Sequence, residues 1–287
     1  MLRLGGVFLF LTLFFAGCST DSPVATNISG SSFNARLEAA IDSEDSISVL
    51  NINEWNEISG PCTITESGCY TVIKDFSTDG SSHGIVISGV NHVYLDLNGH
   101  TISGNSSYRN FSGVYVDSSE FILVSNGTLS AHTYGVTFNE TSKGSVKDVV
   151  INSGYTDSKS PPPHYIGVNI VNSDRIKVLW NVISHIEKGV QVYGVGSALN
   201  RIANNTIIGG TYTTGKTGIL YYDTEFSPSD DIIRNNTISK FLTGISADTF
   251  NGYLNFTNNK IEYYNYSYLN TDSTNQFKNN VYIKIMQ

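Results

Sequence analysis

The sequence predicts an all-β chain, a single-stranded parallel β-helix of about eight turns with a short N-terminal capping helix, and three observations predict it. A glycine opening a run of alternating apolar residues returns seven times, at Gly84, Gly113, Gly135, Gly167, Gly189, Gly218 and Gly244, in the phrases GIVI, GVYV, GVTF, GVNI, GVQV, GILY and GISA. The intervals run from 22 to 32 residues; a unit of that size cannot bury its apolar face alone and must stack on its neighbours. Pairs such as Val114/Val116, Val136/Phe138 and Val190/Val192 alternate with period two, so the units are strands. Each phrase is then followed by an Asn or Asp corner and a second apolar pair: Asn98, Asn126, Asp148, Asn181, Asn204-Asn205, Asn235-Asn236 and Asn258-Asn259. Asparagine tolerates left-handed backbone, and asparagines stacked about 4.8 Å apart pass amide hydrogen bonds along an axis.

The chain opens with a basic start, Met1-Leu2-Arg3, an apolar run from Leu4 to Phe15 too short for an ordinary membrane span, and Phe15-Ala16-Gly17-Cys18. This resembles a prokaryotic lipoprotein signal with its lipobox. The resemblance implies a signal peptide over 1–17, a lipidated Cys18, and an exported protein held on the cell envelope, periplasmic or at the surface, through its lipid anchor. A plain secretory peptide is the alternative. Residues 18–33 are rich in Ser, Thr, Asn and Gly and read as a flexible tether.

The remainder, 34–287, is one β-helix domain. Leu37, Ala40 and Ile41 at i, i+3, i+4 predict a short amphipathic helix over Asn34–Asp42 that caps the solenoid's end. Cys62 and Cys69 are the pair left once Cys18 is assigned, and export permits a disulfide between them. The stretch from Ile58 to Ile102 resembles the opening of exported right-handed β-helix proteins of the pectate-lyase-like superfamily. It does so in Gly60-Pro61-Cys62-Thr63-Ile64-Thr65, Gly68-Cys69-Tyr70, Gly84-Ile85-Val86-Ile87 and Leu95-Asp96-Leu97-Asn98-Gly99-His100-Thr101-Ile102. Right-handedness follows from that resemblance and from the crossover rule. Asp96 and His100 belong to this opening phrase and read as corner hydrogen-bonding residues. The superfamily holds lyases, hydrolases, epimerases, adhesins and proteins similar to the NosD copper-maturation factor, so it implies fold and not activity. Residues 266–283 look like a worn last turn.

A formal charge of −8 with no Lys/Arg run argues against nucleic acid. Copper or another metal is not assigned: methionine occurs only at Met1 and Met286, the six histidines show no close ligand spacing, and no cofactor is implied. Fragments shared with polygalacturonases, such as His83-Gly84, Arg175-Ile176-Lys177 and Asp230-Asp231, run in reversed order and read as coincidence.

Long connections follow the corners at Asn98, Asp148 and Asn205, and short ones follow those between. Leaving one corner on alternate turns, they should rise side by side about 10 Å apart as a groove wall. Tyr108, Arg109, Tyr155, Lys159, His164, Tyr165, Tyr212 and Lys216 stand on that wall, where aromatic rings stack on sugars and cations hold acidic groups. Polysaccharide is therefore the expected partner. No motif fixes a catalytic role; for a lyase Arg109, Lys159 or Lys216 would neutralise the uronate and His164 or a tyrosine would be the base. A non-catalytic structural or adhesive solenoid and a NosD-like accessory protein are the alternatives.

Overall fold

The computed structural model describes Leu37, Ile41 and residues 54–105, 110–154, 165–210, 216–222, 230–248, 253–269 and 276–284. Among these, the strands pair in parallel and join into one continuous sheet of 24 strands. That sheet is folded into three faces, because strands such as Glu120–Ser130 and Ser142–Asn152 run on through a corner. The first sheet takes Cys62–Ile64, Ile85–Ser88, Ser112–Asp117, Tyr134–Asn139, Ile166–Val171, Lys188–Tyr193, Thr217–Tyr222 and the ends of Thr237–Asp248 and Lys260–Leu269. The second sheet lies between it and the asparagine corner. The third follows that corner, and the leading glycines close the circuit.

Among the described residues the first sheet thus counts nine turns, one more than the eight expected. The additional turn comes first: Cys62–Ile64 pairs with Ile85–Ile87 in register although Pro61, and not glycine, precedes it. The glycine is needed where turns approach closely. A Cβ on Gly189 would stand 2.3 Å from the Gly218 carbonyl oxygen and 2.3 Å from Ile207 Cγ2, closer than any real contact, so the corner excludes even alanine.

Inward positions form one core of Ile, Val, Leu and Phe, for example the row Ile87, Val116, Phe138, Ile170 and Val192, all fully buried. A stack of β-branched residues on pleated strands buries side chains at little rotamer cost.

The asparagine corner divides its work between two adjacent positions. The first residue holds left-handed backbone: Asn98, Asn126, Asp148, Trp180, Asn204, Asn235, Asn258 and Asn279 all have φ between 51° and 60°. The second carries the ladder. Asn181 donates from Nδ2 to Asn205 Oδ1 at 3.1 Å, and Asn205 to Asn236, Asn236 to Asn259 and Asn259 to Asn280 at 3.0 Å each. The same amides reach backbone carbonyls one turn back, and each oxygen also accepts a backbone N–H. The ladder therefore occupies the last five turns; in turns two to four its position holds Gly99, Gly127 and Val149. Asn181, expected at the bend, belongs to the ladder, and Trp180 takes the bend.

Two further expectations are corrected. No disulfide joins Cys62 and Cys69. Cys62 shares the inward row of Ile85 and packs on the core, whereas Cys69 shares the outward row of Tyr94 and Leu123. Burial there pushes the Cys69 thiol up to about 12. That outward cluster is also where Leu37 and Ile41 lie, both helical and buried. They cover the side of turns one to three through Cys69, Tyr94 and Leu123; the rest of the predicted Asn34–Asp42 helix lies outside the described residues.

Candidate functional site

Two of the three outward polar surfaces are spent on structure. At the asparagine corner the amides are saturated, as above. Asp96 accepts from the Asn98 N–H at 2.7 Å and from Asn126 Nδ2 at 3.1 Å, while His100 Nδ1 meets Asp75 at 2.9 Å, so both act as corner residues. At the opposite corner, between the first and second sheets, Ser173 Oγ accepts from Thr141 N and Ser197 Oγ accepts from Ser173 N.

The outer side of the first sheet differs. Two residues beyond each glycine the register aligns Val86, Tyr115, Thr137, Asn169, Gln191, Leu220 and Ser246. Two further on it aligns Ser88, Asp117, Asn139, Val171, Tyr193 and Tyr222. One residue before the glycines stand Ser112, Tyr134, Ile166, Lys188 and Thr217. An outward sheet position permits any residue, and these rows hold amides, hydroxyls and aromatic rings.

Their contacts make an ordered surface. Gln191 Nε2 donates to Asn169 Oδ1 at 2.9 Å, Lys188 Nζ donates to Gln191 Oε1 at 2.8 Å, and Asn139 Nδ2 donates to Asp117 Oδ1 at 2.7 Å. The Ser112 and Thr137 hydroxyls lie 2.9 Å apart. His83 stacks on Tyr115 with ring centroids at 4.5 Å and accepts from the Ser112 N–H at Nδ1. Tyr193 and Tyr222 stack at 5.1 Å, 11° from parallel, with Lys188 Nζ 5.9 Å from the Tyr222 centroid. Partial burial raises the Tyr115 and Tyr134 hydroxyls, with the Asp117 charge adding to the effect on Tyr115, and lowers His83 and Lys188. Tyr115, Lys188, Tyr193 and Tyr222 are half-buried, whereas Ser112, Thr137, Asn169 and Gln191 are buried.

The long connections do leave one corner, between the third and first sheets, after Thr101–Ser103, Ser142–Asn152 and Thr206–Gly209. Tyr108, Arg109, Tyr155, Lys159, His164 and Tyr212, expected on them, lie outside the described residues. Tyr165 is instead 4% exposed and packs in the core, so it is not a stacking surface. Lys216 stands at the edge of the first sheet, exposed, with Nζ 2.8 Å from Glu187 Oε1. The Asp230-Asp231 fragment puts Asp231 inside the solenoid, where burial raises its carboxyl to about 7. The Asn200 backbone N–H donates to it at 2.7 Å, a ladder contact and not a catalytic one.

With this geometry in hand, comparison with known proteins decides the family. The family model described as periplasmic copper-binding protein (NosD) matches residues 98–285. The chain belongs to the NosD family. No curated protein is similar enough in sequence to be matched. Among solved structures, an alginate lyase from Paenibacillus sp. str. FPU-7 is similar at 10% identity and a TM-score of 0.44, over 77% of this chain and 97% of that one. A tailspike protein mutant of E. coli bacteriophage HK620, in complex with a pentasaccharide, is similar at 11% identity and a TM-score of 0.32, over 80% of this chain and 60% of that one.

The family description raises copper, and the described donors do not fit it. Among the described residues no three His, Cys, Asp or Glu side chains gather. Cys69 is held as a buried thiol. His132 has a buried Nε2 without a hydrogen-bond partner, and burial lowers the ring to about 4, but its neighbour His83 has Nδ1 engaged by Ser112. Two imidazoles without a thiolate or thioether make a poor soft-metal site.

Proposed function

We propose that this NosD-family protein is exported, held on the cell envelope through Cys18, and binds polysaccharide along the outer side of its first sheet. The observation that carries the reading is the contrast within one strand set: inward rows are uniformly apolar, while the outward row Tyr115, Thr137, Asn169 and Gln191 is polar or aromatic. Thr137, Asn169 and Gln191 of this row are buried, with Gln191 bonded to Asn169 and Lys188. The half-buried Tyr115, Tyr193, Tyr222 and Lys188 that border them fit a chain of sugars, whose rings pack on the tyrosines and whose polar groups meet the ammonium. The strand spacing of about 4.8 Å places one set of such groups beneath each successive ring. The long connections from the adjoining corner, carrying Tyr108, Arg109, Tyr155, Lys159, His164 and Tyr212, would supply the wall. Cleavage is not required by any feature of this surface.

Titration of the purified protein against neutral and acidic polysaccharides tests the reading. Binding is expected with at least one class, and the double variant Tyr193→Ala, Tyr222→Ala should weaken it about tenfold or more, the loss of two stacking faces. Unchanged affinity in a folded double variant would move the site elsewhere. Release of Cys18→Ala from the membrane fraction, with its melting unchanged, tests the anchor. Copper handling is the second reading, favoured by the family match alone. A Cu(I) titration showing stoichiometric, tight binding would bring it forward.

A further inference from the structure

Lys188 stands apart from the other cations of the first sheet. It is half-buried on the outer side, and its ammonium is held by a neutral amide, Gln191 Oε1 at 2.8 Å, and by the Tyr222 ring. The nearest carboxylate on the sequence, Glu187, points its Oε1 at Lys216 Nζ, 2.8 Å away, and is itself 8% exposed at the side chain. Asp117, on the same outer side, lies three turns away and accepts from Asn139. Among the described residues Glu187 thus bonds Lys216 while its charge also acts on Lys188, and Asp248, aligned with Tyr222, stands on the outward row one turn beyond that ring. An ammonium has three donors, and the hydrogen bond to Gln191 uses one. A partly desolvated cation held by neutral groups retains most of its attraction for an anion. Beside it, Tyr193 and Tyr222, stacked on each other and each half-buried, border the adjoining outward row.

We infer that Lys188 is the anion-recognising residue of the sugar site, receiving a carboxylate or sulfate of an acidic sugar whose ring lies against Tyr193 and Tyr222. This rests on the polysaccharide-binding reading and narrows it to acidic glycans. Gln191 and Asn169 fix the ammonium in place through their hydrogen-bonded chain, so the charge is presented from a rigid strand and not from a loop. Lys216, by contrast, is tied to Glu187 at the edge of the sheet.

The test uses full-length protein in detergent and calorimetric titration with polygalacturonate, alginate and chondroitin sulfate. Each is compared with its carboxyl-reduced form, and chondroitin sulfate also with its desulfated form. The expected result is an acidic polymer bound about tenfold or more tightly than its neutralised form, the scale of one charge-assisted hydrogen bond. The form that loses affinity identifies carboxylate or sulfate. Lys188→Met should abolish that preference while binding the neutralised polymer as the wild type does and melting normally. Lys216→Met should keep the preference. Equal binding of charged and neutralised forms by the wild type would overturn the inference and leave the sugar site standing. A preference retained in Lys188→Met would overturn it too. Failure to bind any of the polymers or their neutralised forms would overturn the sugar site itself and this inference with it.

Discussion

The asparagine corner and the outer side of the first sheet are built from similar polar residues and serve opposite ends. At the corner the same residue recurs turn after turn, Asn181, Asn205, Asn236, Asn259 and Asn280, and the amides in its middle bond to the turns on either side. Nothing is left over for a ligand. On the first sheet the residue changes at every turn while the backbone frame stays constant, and rings and a cation remain partly exposed. Repetition in a solenoid marks what the fold needs. Variation at a fixed outward position marks what the fold leaves available.

Removing a rung should have the largest effect. Asn236→Ala strands the Asn205 N–H and Nδ2, which Asn236 Oδ1 accepts at 3.0 Å each, and the Ile202 carbonyl, reached at 2.8 Å. Each buried orphan costs about 1–3 kcal/mol, so a loss of about 3 kcal/mol is expected in chemical denaturation, with no change in sugar affinity. A normal melt combined with lost binding would reverse the assignment of corner and face.

Asp231 sharpens the comparison through pH. It stands where an asparagine-type rung would serve, below Asn200 and beside Tyr221. Its folded carboxyl, raised to about 7 by burial, keeps a proton that the unfolded chain releases near the ordinary aspartate value. The folded state then binds more protons, so stability should fall as pH rises from that value towards 7 and level off above it. Asp231→Asn should flatten the profile between about pH 4 and 7; a variant with the wild-type slope would put the titrating group elsewhere.

The smallest effect concerns the bend itself. Trp180 holds a left-handed backbone, φ 59°, at a position that is asparagine in most other turns, and its side chain is 44% exposed. Trp180→Asn should raise stability by about 0.5–1 kcal/mol by relieving that conformation, measured as a rise in melting temperature. A drop would mean that the indole packs more than its exposure suggests.

Much of this architecture was legible in the residues. The glycine phrases gave the turns and inward rows, and the missed first turn is the one that opens with Pro61-Cys62 in place of glycine. The corner was read one position short at Asn181, because sequence alone does not say which residue of a pair bends and which stacks. Wherever two asparagines stand together, both jobs are filled. The disulfide failed on parity, since Cys62 and Cys69 belong to rows facing opposite ways. The sequence points to the long connections, where aromatic and cationic residues cluster, and reads the strands as core. The row on which the proposed site rests lies two residues beyond each glycine, where Tyr115, Thr137, Asn169 and Gln191 interrupt otherwise apolar phrases. Lys188 was concealed by its position immediately before Gly189, outside the phrase that was being counted.

The contrast between corner and face is tested most directly by hydroxyl-radical footprinting of the protein with and without a bound oligosaccharide. Tyrosine and tryptophan both report, and the chain places Tyr115, Tyr193 and Tyr222 on the first sheet and Trp180 at the asparagine corner. The account predicts that sugar slows oxidation of the three tyrosines and leaves Trp180 unchanged. Protection of Trp180 with the tyrosines unaffected would contradict it.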